Sequence, residues 1–121
     1  MPQVRAVILA CLASLFAGGL STAAELVVLQ QPGCAWCARF EAEIAPAWPK
    51  TPEGALAPLR RVDITEAWPE DLADISKERF TPTFILMDEG REVARLRGYV
   101  GDEFFWYRIG ELVALLEDDG S

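Results

Sequence analysis

Histidine is absent from this 121-residue chain. That excludes Ser-His and Cys-His nucleophile pairs, histidine general bases and every histidine-containing metal site. Positive charge is also scarce: 11 Lys and Arg stand against 19 Asp and Glu, a net charge of −8. With no basic surplus to neutralise phosphates, the chain is not a nucleic-acid binder. It has no internal repeat, and its length is too short for two independent cores. A composition 51% hydrophobic and 25% charged excludes disordered, collagen-like and low-complexity classes. Cysteine is scarce too, with three residues, Cys11, Cys34 and Cys37. In the absence of histidine they carry most of the chemistry that titrates near neutral pH.

Residues 1–24 read as a secretory signal peptide. Arg5 and the amino terminus form a short positive region, and a nearly unbroken apolar run follows from Ala6 to Leu20. That run is short for a membrane span of about 20 residues. Small residues then gather, and Thr22-Ala23-Ala24 predicts cleavage after Ala24 or one residue earlier. The competing readings are an uncleaved anchor and a lipoprotein built on Cys11, the latter disfavoured by the bulky Leu9 and the short apolar stretch before it. Removing these 24 residues takes one of the 11 basic side chains and none of the 19 acidic ones, leaving residues 25–121 at a net charge of −9. The weakly charged leader suits a bacterial periplasmic protein, and an oxidising compartment permits disulfides.

The rest of the chain alternates strand and helix signals. Glu25 to Gln30 is an aliphatic run expected to form a buried strand, broken by Pro32-Gly33. From Cys34 to about Lys50 the apolar residues Cys37, Phe40, Ile44 and Trp48 fall on one helical face, and Pro46 predicts a kink or an end near Ala45. Thr51 to Pro58, with two prolines and a glycine, reads as loop. Leu59 to Ile64 is a second strand, and Trp68-Pro69 opens a second helix with Leu72 and Ile75 on its core face. Thr83 to Met87 is a central strand, Asp88 to Arg91 a hairpin turn, and Glu92 to Arg97 its partner strand. Asp102 caps a last helix with Phe105, Ile109, Leu112, Val113 and Leu116 on one face. The order βαβαββα implies an α/β fold with a mixed four-stranded sheet flanked by helices. In it the first βαβ unit gives a parallel pair and the hairpin an antiparallel one.

Cys34-Ala35-Trp36-Cys37 stands at the first strand-to-helix junction. Residues three apart on a helical turn lie about 5–6 Å apart, within the window a disulfide needs. Such a pair opens and closes with little backbone movement. Cys34 falls at the helix N-terminus, where backbone N–H groups and the helix dipole stabilise a thiolate. It is therefore the expected nucleophile, and Cys37, one turn further in, the resolving thiol. Gly33 leaves room for another chain beside Cys34. Two other uses of the pair stay open. An inert structural bridge is a poor use of so short a loop, which constrains the unfolded chain least. Zinc lacks its third and fourth ligands, whereas a copper(I) carrier can work with two thiolates. Such carriers usually have a methionine shortly before the first cysteine, where this chain has Gln31-Pro32-Gly33.

With Thr81-Pro82 at the mouth of a strong strand, the chain resembles the thioredoxin-fold family in a minimal, glutaredoxin-sized form. The resemblance covers essentially all of residues 25–118. It implies that Pro82 is a cis proline packed against the Cys34–Cys37 pair. It further implies that the Thr81 backbone holds an incoming peptide over Cys34, and that Gly98 permits close approach near the site. Trp36, between the cysteines, joins the substrate-binding set or covers Cys34. The dipeptide Ala35-Trp36 differs from the Gly-Pro of ordinary thioredoxins and the Pro-His of strong oxidants. Val28 stands where thioredoxins carry a buried acid, leaving water or Glu43 to take the proton of Cys37.

The finer resemblance is to the small periplasmic thioredoxins of bacterial sulfur-oxidation systems, the SoxS group. It is carried by Pro32-Gly-Cys-Ala-Trp-Cys37, Pro58 to Ile64, Phe80-Thr-Pro-Thr-Phe84 and Gly98 to Trp106. It implies a reductase, needing no cofactor, that acts on a disulfide- or thiol-bearing partner such as a sulfur-carrier protein. A membrane thiol transporter would supply its electrons. A general periplasmic isomerase or oxidase would use the same residues, and a copper(I)-delivery module is the reading from a different class. Among the other conspicuous residues, Phe104 to Tyr107 are expected to pack beneath the sheet with one aromatic at the surface, and Arg60-Arg61 to lie at a solvated strand edge.

Overall fold

The computed structural model describes residues 24–119; the leader read at residues 1–24, apart from Ala24, lies outside them, as does Cys11. Strand β1, Ala24–Gln30, is central in a sheet of order β2-β1-β3-β4. It pairs in parallel with β2, Leu59–Asp63, and antiparallel with β3, Thr83–Asp88, which pairs antiparallel with β4, Arg91–Arg97. The mixed four-stranded sheet agrees with the sequence reading. Leu26, Val27, Val28 and Leu29 are wholly buried because β1 is covered on both faces, each burial stabilising by about 1.5–3 kcal/mol. Alternation sends Leu26 and Val28 into one core, and Val27 and Leu29 into the other. The hairpin turn between β3 and β4 has positive φ at Glu89 (53°) and Gly90 (80°), as a two-residue loop of this hand requires.

On one face lie α1, Ala35–Glu43, and α3, Asp102–Asp119. Helix α1 stops just before Pro46, which has no N–H to continue the ladder. The chain then makes a 3-10 turn at Trp48–Lys50. Cys37, Phe40, Ile44 and Trp48 are all buried, as their spacing predicts. Phe40 is the hub of this core, with ring centroids 4.9 Å from Phe84 and 5.5 Å from Phe105. Helix α3 begins at Asp102, one residue earlier than a cap there requires. The carbonyl of Gly101 accepts the first helical bond from Phe105 N, and the Asp102 carboxylate accepts from Glu103 N. Its buried stripe is Phe105, Ile109, Leu112 and Val113. Of the four consecutive aromatics two, Phe104 and Tyr107, are exposed rather than one. Among the described residues no helix is long and apolar enough to cross a membrane.

Two elements differ from the sequence reading. The stretch read as loop contains a short helix, α2, Pro52–Leu56. Thr51 caps it, its hydroxyl accepting from Gly54 N at 2.9 Å, and Pro52 occupies the first position, where its missing N–H costs nothing. The helix expected from Trp68 is a single 3-10 turn, Glu70–Leu72. Pro69 is extended (ψ 139°), and side-chain donors, one local and one from β4, bond to carbonyls of the segment. Trp68 Nε1 donates to Leu72 O at 2.7 Å and Arg95 to Ser76 O at 3.2 Å. The irregular segment 64–80 nevertheless covers the second face of the sheet, where Trp68, Leu72 and Ile75 pack on Val27, Leu29, Ile85 and Met87.

Candidate active site

The end of β1, the start of α1, the loop before β3 and the loop after β4 meet at one edge of the molecule. Gly33 (φ +77°) turns the chain out of the sheet, and a Cβ there would meet nothing within 4 Å. Cys34 is the N-cap of α1, in extended conformation, and its Sγ accepts from Cys37 N at 3.1 Å. Cys34 and Cys37 are joined in a disulfide with Cα atoms 5.2 Å apart. Cys34 is half-buried and Cys37 is 5% exposed, so an approaching partner meets Cys34 first.

The Thr81–Pro82 peptide bond is cis, as the resemblance implies. It brings Thr81 against the disulfide, where its hydroxyl donates to Cys34 Sγ at 3.3 Å. Gln31 Nε2 donates in turn to Thr81 Oγ1 at 2.9 Å. Strand pairing explains the meeting. The β1–β3 ladder runs Val28 opposite Phe84 and Leu29 opposite Thr83, and continuing that register past its last pair sets Gln31 opposite Thr81. Gly98 N donates to Pro82 O at 2.7 Å. A Cβ on Gly98 (φ +90°) would lie 3.2 Å from the Phe80 ring, so glycine is required for this close approach. Cys34, Cys37, Thr81, Pro82, Gly33 and Gly98 are thus brought together.

Trp36 is 49% exposed beside the disulfide, and the Arg39 guanidinium lies 5.0 Å over its ring. Phe80, 52% exposed, lies beside Gly98 and under Arg97 at 5.1 Å. An open depression of about 470 Å³ lies beside the disulfide, lined by Gln31, Gly33, Cys34, Ala38 and Glu41 among others. Glu43 does not reach Cys37 through any hydrogen bond. Its carboxylate accepts from Tyr99 at 2.5 Å and from Arg39 at 3.0 and 3.1 Å. The Tyr99 hydroxyl, then Arg39, hold its pKa below the usual glutamate range, which suits a fixed charge better than a proton carrier. Val28 is apolar and wholly buried at the position of the missing acid. Sequence reasoning passed over Gln31, Phe80, Arg39 and Tyr99. The one local signal was Gln31 itself, a polar residue between an apolar strand and Pro32-Gly33. Among the described residues there is no cluster of three or more His, Cys, Asp or Glu that could hold a metal ion.

Protein-family models give no match to the chain, and neither do the curated proteins. Solved structures do. The crystal structure of the reduced periplasmic thioredoxin SoxS from Paracoccus pantotrophus is 42% identical, with a TM-score of 0.70, covering 75% of this chain and 96% of that one. The chain belongs to the SoxS-type thioredoxins. Thioredoxins from Fasciola hepatica and Malassezia sympodialis share the fold. They are 22% and 20% identical with TM-scores of 0.56 and 0.54, each covering 74% of this chain and 80% and 77% of their own. Membership of the SoxS-type family, with the Cys34–Cys37 disulfide, makes the protein a thiol–disulfide oxidoreductase. In this chain one side-chain hydrogen bond, from Thr81, reaches Cys34 Sγ, and Gln31 donates to Thr81 behind it.

Proposed function

We propose that the protein is an exported reductase that acts on a cysteine of a sulfur-carrier protein in the periplasm. The observation that carries this reading is the 42% identity to a periplasmic SoxS over 96% of that chain. Residues 1–24, with their short positive start and apolar run, support export as a signal peptide. The Cys34 thiolate attacks a sulfur of the partner's disulfide, forming a mixed disulfide and releasing the other partner sulfur as a thiolate that takes up a proton. Cys37 loses its proton to water and attacks Cys34 Sγ. This frees the second partner thiol and closes the Cys34–Cys37 bond. The partner gains two electrons and the protein loses two, later restored by a membrane thiol transporter. The rate follows the thiolate fraction of Cys34 and the acidity of the leaving sulfur.

Each remaining residue has a place in this scheme. The Thr81 backbone and Pro82 align the partner's chain across the disulfide, as extended peptides pair with a free strand edge. Gly33 and Gly98 keep side chains out of the path, and Trp36 offers an exposed apolar contact on the α1 side.

Mixed-disulfide trapping with mature Cys37→Ser in a periplasmic extract tests the reading. A discrete adduct on Cys34 that dithiothreitol removes, with a sulfur-carrier protein as its other half, is the expected result. Many unrelated adducts would replace it with a general reductase or isomerase. No adduct, with Cys34 confirmed free, would turn the assignment toward copper(I) delivery or a structural bridge.

A further inference from the structure

Three polar groups line up at the attacking sulfur. Gln31 Nε2 donates to Thr81 Oγ1 at 2.9 Å, and Thr81 Oγ1 donates to Cys34 Sγ at 3.3 Å. A threonine hydroxyl has one proton and two lone pairs. With the Gln31 amide holding a lone pair, the single proton is left to point at the sulfur. Cys37 N–H supplies a second donor at 3.1 Å. A disulfide sulfur is a weak acceptor and a thiolate a strong one, so bonds of this kind gain strength on reduction. We propose that Gln31 is a positioning residue. By orienting the Thr81 hydroxyl it stabilises the Cys34 thiolate and shifts the dithiol–disulfide balance toward the reduced form.

Gln31 and Thr81 stand 50 residues apart, and Thr81 and Cys34 47. The contact therefore depends on the β1–β3 register and not on any local motif. Both donors are uncharged, and Val28 puts no acid behind the site. The stabilisation they supply does not itself titrate. The inference rests on Cys34 being the attacking thiol, and the test separates the two claims.

Reduced mature protein is alkylated with iodoacetamide across a pH series, the labelled cysteine is identified by mass spectrometry, and the same variants are equilibrated with glutathione. Wild type labels first on Cys34. Gln31→Ala is expected to lower the Cys34 labelling rate about threefold below its pKa and to raise that pKa. It also moves the glutathione equilibrium about threefold toward the disulfide, since the Thr81 hydroxyl is no longer held toward the thiolate. Gln31→Glu has a larger effect, because a carboxylate accepts the Thr81 proton and turns it from the sulfur. Thr81→Ser keeps the hydroxyl and keeps the dependence on Gln31. In Thr81→Val, Gln31→Ala has no further effect, the non-additivity expected of one chain of bonds. Equal shifts from Gln31→Ala in the wild-type and Thr81→Val backgrounds, or no shift in either, would overturn the relay while leaving Cys34 as nucleophile. First labelling on Cys37 would overturn the nucleophile and the relay with it.

Discussion

Tyr99 is 3% exposed, yet its hydroxyl donates to Glu43 at the end of α1. Burial first, then the Glu43 carboxylate, pushes the phenol well above its usual pKa, while Glu43 is held low by Tyr99 and Arg39. The two shifts bound a pH window. A lowered Glu43 gives stability that is present above the ordinary glutamate pKa, about 4.3, and lost as pH falls through its folded value. A raised Tyr99 gives stability present below about pH 10 and lost as pH rises through its folded value. Tyr99→Phe is thus expected to lower the urea midpoint by a constant amount between about pH 5.5 and 9, with the gap closing on both sides. Urea titrations of both proteins at each pH check this. A gap unchanged at pH 3 would show that the hydroxyl contributes through packing alone. At Gly98, alanine faces a φ of +90° and the Phe80 ring at 3.2 Å. Gly98→Ala should cost on the order of 1–3 kcal/mol, measured by denaturant unfolding. It should also slow insulin reduction, because Phe80 adjoins Thr81 in the partner-facing loop. Neither residue's partner is visible in sequence: Tyr99 and Glu43 are 56 positions apart.

The elements divide according to how local their causes are. Strands β1 and β3 and helices α1 and α3 were legible because apolar spacing, Pro46 and the turn residues act within a few positions. Helix α2 was missed because two prolines and a glycine suggested loop, although Thr51-Pro52 is a valid cap and first position. Its position is set from outside. A Cβ on Gly54 would lie 1.7 Å from the Trp48 carbonyl oxygen, a backbone atom that cannot swing aside. Gly54→Ala should therefore push α2 off the 3-10 turn and destabilise by roughly 2 kcal/mol or more, as overpacked cores do. A urea midpoint equal to wild type would show that α2 moves freely. The helix expected from Trp68 failed for the opposite reason. Its apolar spacing is helical, but Trp68 Nε1 and Arg95 claim carbonyls at Leu72 and Ser76.

For the whole molecule, β1 bears on the proposed leader cleavage. Ala24 is buried and pairs with Asp88 at the first rung of the β1–β3 ladder. Cleavage after Ala23 leaves that rung whole, whereas cleavage after Ala24 removes it. The protein recovered from the periplasm is expected to start at Ala24, and its intact mass decides between the two cuts. A mass that retains the leader would point to an anchored form. The charge distribution is a whole-molecule property too. Arg60, one of the pair expected at a strand edge, does lie on edge strand β2, where it bridges Glu25 and Asp71. Arg61 beside it pairs with Glu41. The basic pair is thus neutralised within the fold, and pairs this exposed contribute little to stability.

What the sequence by itself determined is what depends on neighbours along the chain. That includes the Cys34–Cys37 spacing on one helical turn, the cap position of Cys34, the apolar faces and the hairpin. The tertiary structure decided the contacts around the cysteines, of which the family resemblance had implied those of Thr81, Pro82 and Gly98 but not Gln31. Gln31, Thr81 and Gly98 come from three separate loops, and pairing in the β1–β3–β4 sheet carries them to one edge. The reason is geometric. Local hydrogen-bond and packing rules act over three or four residues, whereas strand register joins positions 50 residues apart and is set by the whole buried sheet.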